Sequence, residues 1–319
     1  MQVMEMREEA HKWTFCDLGE KWLVKFHEGV FGRGGIEDEP LIESVSHHYR
    51  EALHRADVMY VSADMQEVIH QAAVDIPNDL EFHDHNLLCN TGFCIFNESI
   101  IGEDISGGTV VFKGILWHKT IIGVVSKEDG QTYRSPAILL WLLSDTQDLR
   151  DDFTSFLARM NSSEKFKQIN QPVPSRLLPG HLLIVPMDVP YLADWPTSAG
   201  AGITEALTRT FIAINLVAQQ NIAETAKMRT PRATRRRWNL DNNSVITLIT
   251  LRRKKMALPD DHTPQKVEWS RRWIVRGFWR NQYYPKTKTH DWLYIHEYIK
   301  GPEDKPLVIT ERRVFDFRR

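Results

Sequence analysis

Residues 267–285 read VEWSRRWIVRGFWRNQYYP, with arginines and bulky aromatics alternating along a segment that predicts an extended strand over 269–280. Counting by twos, Trp269, Arg271, Trp273, Val275, Gly277 and Trp279 fall on one side. Arg272, Ile274, Arg276, Phe278 and Arg280 fall on the other. Neither side is purely apolar, whereas half-buried strands usually separate the two classes. A guanidinium stacks on an indole and offers a planar fork to phosphate or carboxylate, so the mixture points to a nucleic-acid or acidic-partner surface. The same pattern also suits arginine stems and tryptophan rings packed as cross-strand pairs on a solvated sheet.

Three further strands are expected around this one, over 245–253, 292–299 and 307–317, with loops rich in Pro, Asp and Lys between them. They define a basic, β-rich module over 239–319. Before it lies KMRTPRATRRRW, 227–238, whose five arginines and proline read as a linker, solvated until a polyanion orders it.

Residues 1–76 read as helical. Trp13, Leu18, Trp22, Val24, Phe26 and Val30 recur at near-helical spacing. After the break FGRGGIEDEP, helices are expected over 41–59 and 64–74. FGRGG lacks the following Lys-Ser/Thr of a phosphate-binding loop. Residues 77–226 form a mixed body. Its expected strands are 93–96, 109–117 and 120–125, the last two across a hairpin, then 181–186 and the all-apolar run 135–145, which could also be a buried helix but whose flanking turns favour a strand. A polar helix is expected over 145–160. The clearest helix, 203–227, carries an apolar stripe of Ile203, Leu207, Phe211, Ile214 and Val217 after a TSAGAG connector. The fold class is therefore α+β: a helical N-terminal part, a mixed α/β body and a mainly antiparallel β-rich C-terminal module.

A chain of 319 residues with 42% hydrophobic and 26% charged residues is globular. No run approaches the roughly 18 apolar residues of a membrane helix, and the polar N-terminus is unlike a signal peptide, so a cytoplasmic protein without membrane contact is expected. Cys16, Cys89 and Cys94 are sparse and odd in number, which fits a reducing compartment. His83, His85, Cys89 and Cys94 match no zinc spacing, and Cys94 in GFCIF reads as a buried strand residue. No metal or cofactor is expected. The net charge of −2 hides a polarity: residues 227–319 hold 23 Lys and Arg against 10 Asp and Glu, while 1–226 hold 17 against 32. The basic third either meets an external polyanion or docks onto the acidic two-thirds.

The candidate nucleic-acid contacts, to RNA or DNA, are Arg271, Arg272, Trp273, Arg276, Trp279, Arg280, Gln282 and Trp292. A metal-independent, toxin-like ribonuclease is the alternative, with His290 or His296 moving the proton, Glu297 as its partner, Arg276 or Arg280 on the phosphorane, and Tyr294 or Tyr298 as donors. Its core group is His290, Arg276 and Tyr294. Trp292, Tyr294, His296 and Tyr298 alternate onto one face against Leu293, Ile295 and Ile299, which also suits a protein-interaction module capturing a host factor. The acidic runs at 37–39 and 148–152 read as solvated faces, and no hydrolase, zincin, Walker or dinucleotide motif is present.

The block RRWIVRGFWRNQYYPKTKTHDWLYIHEYIKGPEDKPL, 271–307, resembles a C-terminal pattern in a family of uncharacterised proteins from actinobacteria, their plasmids and their bacteriophages. An Arg-Trp strand, an Arg-Gly-aromatic-Trp-Arg-x-Gln segment and a Lys-Gly-Pro-Glu turn follow one another in it. GFCIFNESI and VITLITLRRKK are similar to the rest of the pattern, so the likeness spans most of 75–319. The resemblance implies a bacterial or phage intracellular setting, and no reaction; nucleic-acid binding in a regulatory or phage and host-conflict role is the leading expectation. Phe278 stands where the pattern has histidine, so any chemistry using that histidine is impaired in this chain.

Overall fold

The sequence DVMYV at Asp57–Val61 forms strand β1 and buries Val58, Met59 and Val61, so side chains on both of its faces are covered. A strand closed on both faces belongs at the centre of a mixed or parallel sheet. β1 does lie inside one, pairing in parallel with β2 (Thr91–Glu103) and with β7 (Val245–Leu251). The computed structural model describes residues 2–14, 20, 23–24, 26–27, 39–80, 82–103, 109–125, 132–145, 177–186, 201–240, 244–252 and 270–308.

The remaining strands are β3 (Thr109–Val125), β4 (Thr132–Asp145), β5 (Leu177–Pro186) and β6 (Ala223–Arg229), and the order across the seven-stranded sheet is β5-β4-β3-β2-β1-β7-β6. β2 to β5 form an antiparallel meander, and β6 pairs antiparallel with β7 at the other edge. β2 is irregular between Ile95 and Ile100, where the register to β3 shifts.

Helices cover both faces. On one side α1 (Gln2–Thr14) and α2 (Glu39–Arg55) bring Met4, Ala10, Val45 and Tyr49 into a core with Phe93, Ile95, Leu116 and Trp141. Residues alternating with these point the other way, to α3 (Ala63–Val74) and α4 (Ala201–Ala218). There Phe211 of α4 lies edge-on to Trp117 at 5.5 Å and against Phe82 at 5.6 Å. At the usual 1.5–3 kcal/mol or so per fully buried large side chain, these two layers hold the sheet together.

The chain divides into two compact units, 1–251 and 252–319. The fold is α+β, with N-terminal helices, a mixed α/β core and a β-rich C-terminal region. Several boundaries differ from the sequence expectation. The helix expected over 41–59 ends at Arg55, because 57–61 is claimed by the central sheet. The two strands expected over 109–125 are one strand, since Trp117, His118 and Lys119 pair with Leu140, Leu139 and Ile138 without a turn. The helix expected over 203–227 stops at Ala218, and Ala223–Arg229 is strand β6. The linker expected over 227–238 is the end of β6 followed by helix α5 (Arg232–Trp238). Residues 245–251, expected in the C-terminal module, pair with β1 in the first unit's sheet. Most of the helix over 13–30, the polar helix over 145–160, the segments 31–38 and 197–200, the acidic run 148–152, Cys16 and Trp269 lie outside the described residues.

Among the described residues no helix is long and apolar enough to cross a membrane.

Candidate nucleic-acid interface

The segment expected as one strand over 269–280 is two, β8 (Arg272–Val275) and β9 (Phe278–Tyr284), in different sheets. The segment expected over 292–299 is likewise divided into β10 (Thr289–Ile295) and β11 (Tyr298–Lys300). β9 pairs with β10, and β8 lies between β11 and the short β12 (Leu307–Val308). Val275 faces Tyr298 and Phe278 faces Ile295, so the antiparallel register is the same on both sides of the interruption. By that register Arg276 stands opposite Glu297, and Gly277 opposite His296. At the interruption residue 277 has no room for a side chain: a Cβ on Gly277 would lie 2.3 Å from the Tyr294 hydroxyl oxygen and 3.3 Å from the Ile295 carbonyl oxygen. The phenol of Tyr294 takes the space beside the backbone where a side chain would sit.

On β9 Trp279 alone is buried, while Asn281 and Tyr283 on the same face are exposed. Trp279 is 8% exposed and packs on Tyr294, 3% exposed, with ring centroids 5.2 Å apart. On the opposite face Phe278 and Tyr284 remain 42% and 39% exposed, with exposed Arg280 between them and half-buried Gln282. Trp279 and Tyr294 build the module, while Phe278, Arg280 and Tyr284 on one face and Asn281 and Tyr283 on the other meet solvent. Exposed Arg276 precedes this stripe at the interruption. Arg271 is also exposed, and no carboxylate among the described residues forms an ion pair with Arg271, Arg276 or Arg280. Ile274 and Ile299, cross-strand partners on β8 and β11, are 47% and 53% exposed.

The other candidates have structural partners. Arg272 is half-buried; its Nε donates to the Lys305 carbonyl at 2.8 Å and its amide to the Pro306 carbonyl at 2.9 Å. Trp273 is half-buried, with the Lys300 ammonium 5.9 Å from its ring centroid. Trp292 is half-buried opposite Asn281. The Gln282 amide donates to the Tyr283 carbonyl at 2.8 Å.

The core ribonuclease group of His290, Arg276 and Tyr294 is not brought together, whereas Arg276, His296 and Glu297 lie at the interruption near Tyr294. His290 sits near the hairpin turn with its ring 4.9 Å from that of Tyr283, whereas Tyr294 lies four residues further along the same strand. At about 3.3 Å per strand residue that separation is roughly 13 Å. Arg276 is near Tyr294, beside Gly277, and away from His290. His296 is half-buried and its Nδ1 has no hydrogen-bond partner; Glu297 and Tyr298 are exposed.

In the first unit His48 of α2 and His118 of β3 approach to 5.4 Å, with Thr91 Oγ1 2.9 Å from His118 Nδ1. Burial lowers the pKa of both imidazoles, His47 adding to the effect at His48 and His48 to that at His118. Burial, helped by Asp57, pushes the Cys89 thiol up to about 12, and burial raises the fully covered Cys94 as well. Both stay thiols rather than nucleophiles. Among the described residues no group of three or more His, Cys, Asp and Glu has a metal-holding arrangement.

Phe278 and Tyr284, exposed on the same face as Arg280, are not among the candidate contacts expected from sequence. Their signal was present in the spacing of Arg276, Phe278, Arg280, Gln282 and Tyr284, every second residue. No family model matches the chain, and no curated protein matches it.

Proposed function

We propose that the C-terminal unit binds single-stranded nucleic acid across the open face of β9, with Phe278 and Tyr284 stacking on bases and Arg276 and Arg280 on phosphates. The observation that carries this reading is the alternation of exposed aromatic and exposed arginine on one face, backed by the closed Trp279–Tyr294 pair on the other. Sequence-tolerant single-strand binders combine these elements: aromatic rings for bases and a cationic track for the backbone. A stripe of this kind is narrow and flat, so it suits unpaired bases better than the groove of a duplex. The free thiols Cys89 and Cys94 fit a reducing, cytoplasmic setting for such a partner.

The test is fluorescence anisotropy of the full chain with labelled single-stranded RNA and DNA, comparing the parent with the variant Arg276→Ala/Phe278→Ala/Arg280→Ala. All three positions are exposed, so the variant should fold. Loss of binding with an unchanged melting temperature is the expected result. Parental affinity in the variant overturns the reading.

A further inference from the structure

The first unit carries a second cationic surface, on the edge strand β6 and helix α5. β6 is the last strand in the sheet order, and every residue from Glu224 to Arg229 is exposed. Lys227 faces Thr247 and Arg229 faces Val245, so the two cations share one face of the strand, and Glu224 is on the other. Two residues later α5 adds Arg232, Arg236 and Arg237, all exposed. There is no Asp or Glu from Thr225 to Leu240.

These cations stand on a fixed backbone. The Arg235 amide donates to the Pro231 carbonyl at 3.0 Å and its Nε to the Thr230 carbonyl at 3.0 Å, which pins the corner between β6 and α5. Leu240 N donates to the Arg235 carbonyl at 2.9 Å, and left-handed Asn239 closes the helix. Trp238 anchors the far end, with Arg237 5.5 Å and Lys12 of α1 5.9 Å from its ring centroid. Lys227, Arg229, Arg232 and Arg236 form no ion pair with any described carboxylate.

We propose that Lys227, Arg229, Arg232 and Arg236 form a phosphate-tracking ridge that holds the backbone of a nucleic acid. Clustered cations without acidic partners are the electrostatic footprint of a polyanion. A lipid surface fits less well, because a membrane-lying helix needs an apolar face. α5 offers only Ala233, buried Thr234 and the already packed Trp238. A second copy of the strand is also disfavoured, since lysine on an open edge opposes strand addition.

The ridge and the β9 stripe are tested independently. The full chain and the variant Lys227→Gln/Arg229→Gln/Arg232→Gln/Arg236→Gln are titrated with a labelled DNA duplex and its single strand over a range of salt. Each phosphate contact removed should lower the slope of log K against log salt by about 0.9 on duplex and 0.7 on single strand. A shallower slope with affinity at least about tenfold weaker on either probe is the expected outcome, in a variant whose melting curve is parental. Parental slope and affinity overturn the ridge, as does a parent chain that binds phosphatidylserine vesicles and neither DNA probe. If the ridge variant loses binding while Arg276→Ala/Arg280→Ala does not, the ridge stands and the β9 reading falls. The converse result removes the ridge alone.

Discussion

Trp279 and Tyr294 stand directly opposite each other on β9 and β10, and the Tyr294 hydroxyl reaches across to the one residue between the two strand pairs that lacks a side chain, Gly277. The hairpin's packing and its interruption thus share one phenol. Removing the ring and filling the gap should damage the C-terminal unit by different routes. Trp279→Ala should cost about 3–5 kcal/mol, the range for deleting a buried aromatic. Gly277→Ala should cost about 1–3 kcal/mol through overpacking, and Tyr294→Phe should relieve part of that in the double variant. Urea unfolding of the four proteins measures it. Strictly additive costs for Gly277→Ala and Tyr294→Phe would show that the hydroxyl is not what excludes a side chain at 277.

Phe278 and Arg280 differ in what they should contribute to binding. Base stacking is worth about 1–3 kcal/mol per base by alanine substitution, so Phe278→Ala should weaken single-strand affinity roughly 5- to 150-fold. The salt slope should stay parental, because no counterion is involved. Arg280→Ala should instead make the slope shallower by about 0.7. Salt titrations of the two single variants check this; a slope change in Phe278→Ala would mean that the ring merely positions the arginines.

The α1–α2 layer should make the first unit acid-sensitive. His27 is fully buried, accepts a hydrogen bond at Nε2 from the Trp141 indole at 3.2 Å, and places Nδ1 2.8 Å from Ser46 Oγ. With Nε2 accepting, the ring is neutral and donates from Nδ1. Burial pushes its pKa down from 6.5 to about 3, and burial, with His54 and Arg7, pushes His11 down from 6.5 to about 4. In both cases the unfolded chain takes up a proton first. Stability is therefore full above about pH 6.5 and falls as the pH drops toward 3 to 4. For His27 alone the loss at pH 5 is at most about 2 kcal/mol, from 1.5 units at 1.36 kcal/mol each. Chemical unfolding between pH 7 and pH 4 should show the decline, and His27→Gln, though less stable at neutral pH, should decline less steeply. A pH-independent parent would contradict the assignment.

What was legible in the sequence follows from how local each signal is. The amphipathic stripe Leu207, Phe211, Ile214 and Val217 identifies α4 because burial alone decides it, while the run at 135–145, apolar on all sides, is favoured as β4 only by its flanking turns. The failures occur where a distant partner decides. Residues 57–59 read as the end of the helix expected over 41–59, yet β2 and β7 flank 57–61 and take the segment as a strand. Residues 245–251 look like part of the basic module, and only their pairing with β1 and β6 moves them to the first unit. The arginine run at 232–237 reads as solvated, yet it forms a helix whose start is tied back by Arg235 to Thr230 and Pro231 and whose end lies by Lys12, more than two hundred residues earlier. Nothing local distinguishes buried Trp279 from exposed Phe278, because the sequence gives the period of a strand without saying which face is covered.

Arg272 is the residue whose role changes most between the two views, and it provides the sharpest control. Its Nε and amide both bond to the segment 305–306 that leads into β12, so it fastens that strand to β8. The Gly301 backbone, at φ 114, passes so close that a Cβ there would lie 2.6 Å from the Arg271 carbonyl oxygen, which leaves the turn little freedom to compensate. Arg272→Ala should thus lower the stability of the C-terminal unit by about 1–2 kcal/mol, the scale of a hydrogen bond plus the carbonyl left behind. Measured where both proteins are folded, its salt slope on single-stranded nucleic acid should equal the parent's, unlike that of Arg280→Ala. A parental melting curve together with a shallower slope would return Arg272 to the set of phosphate contacts.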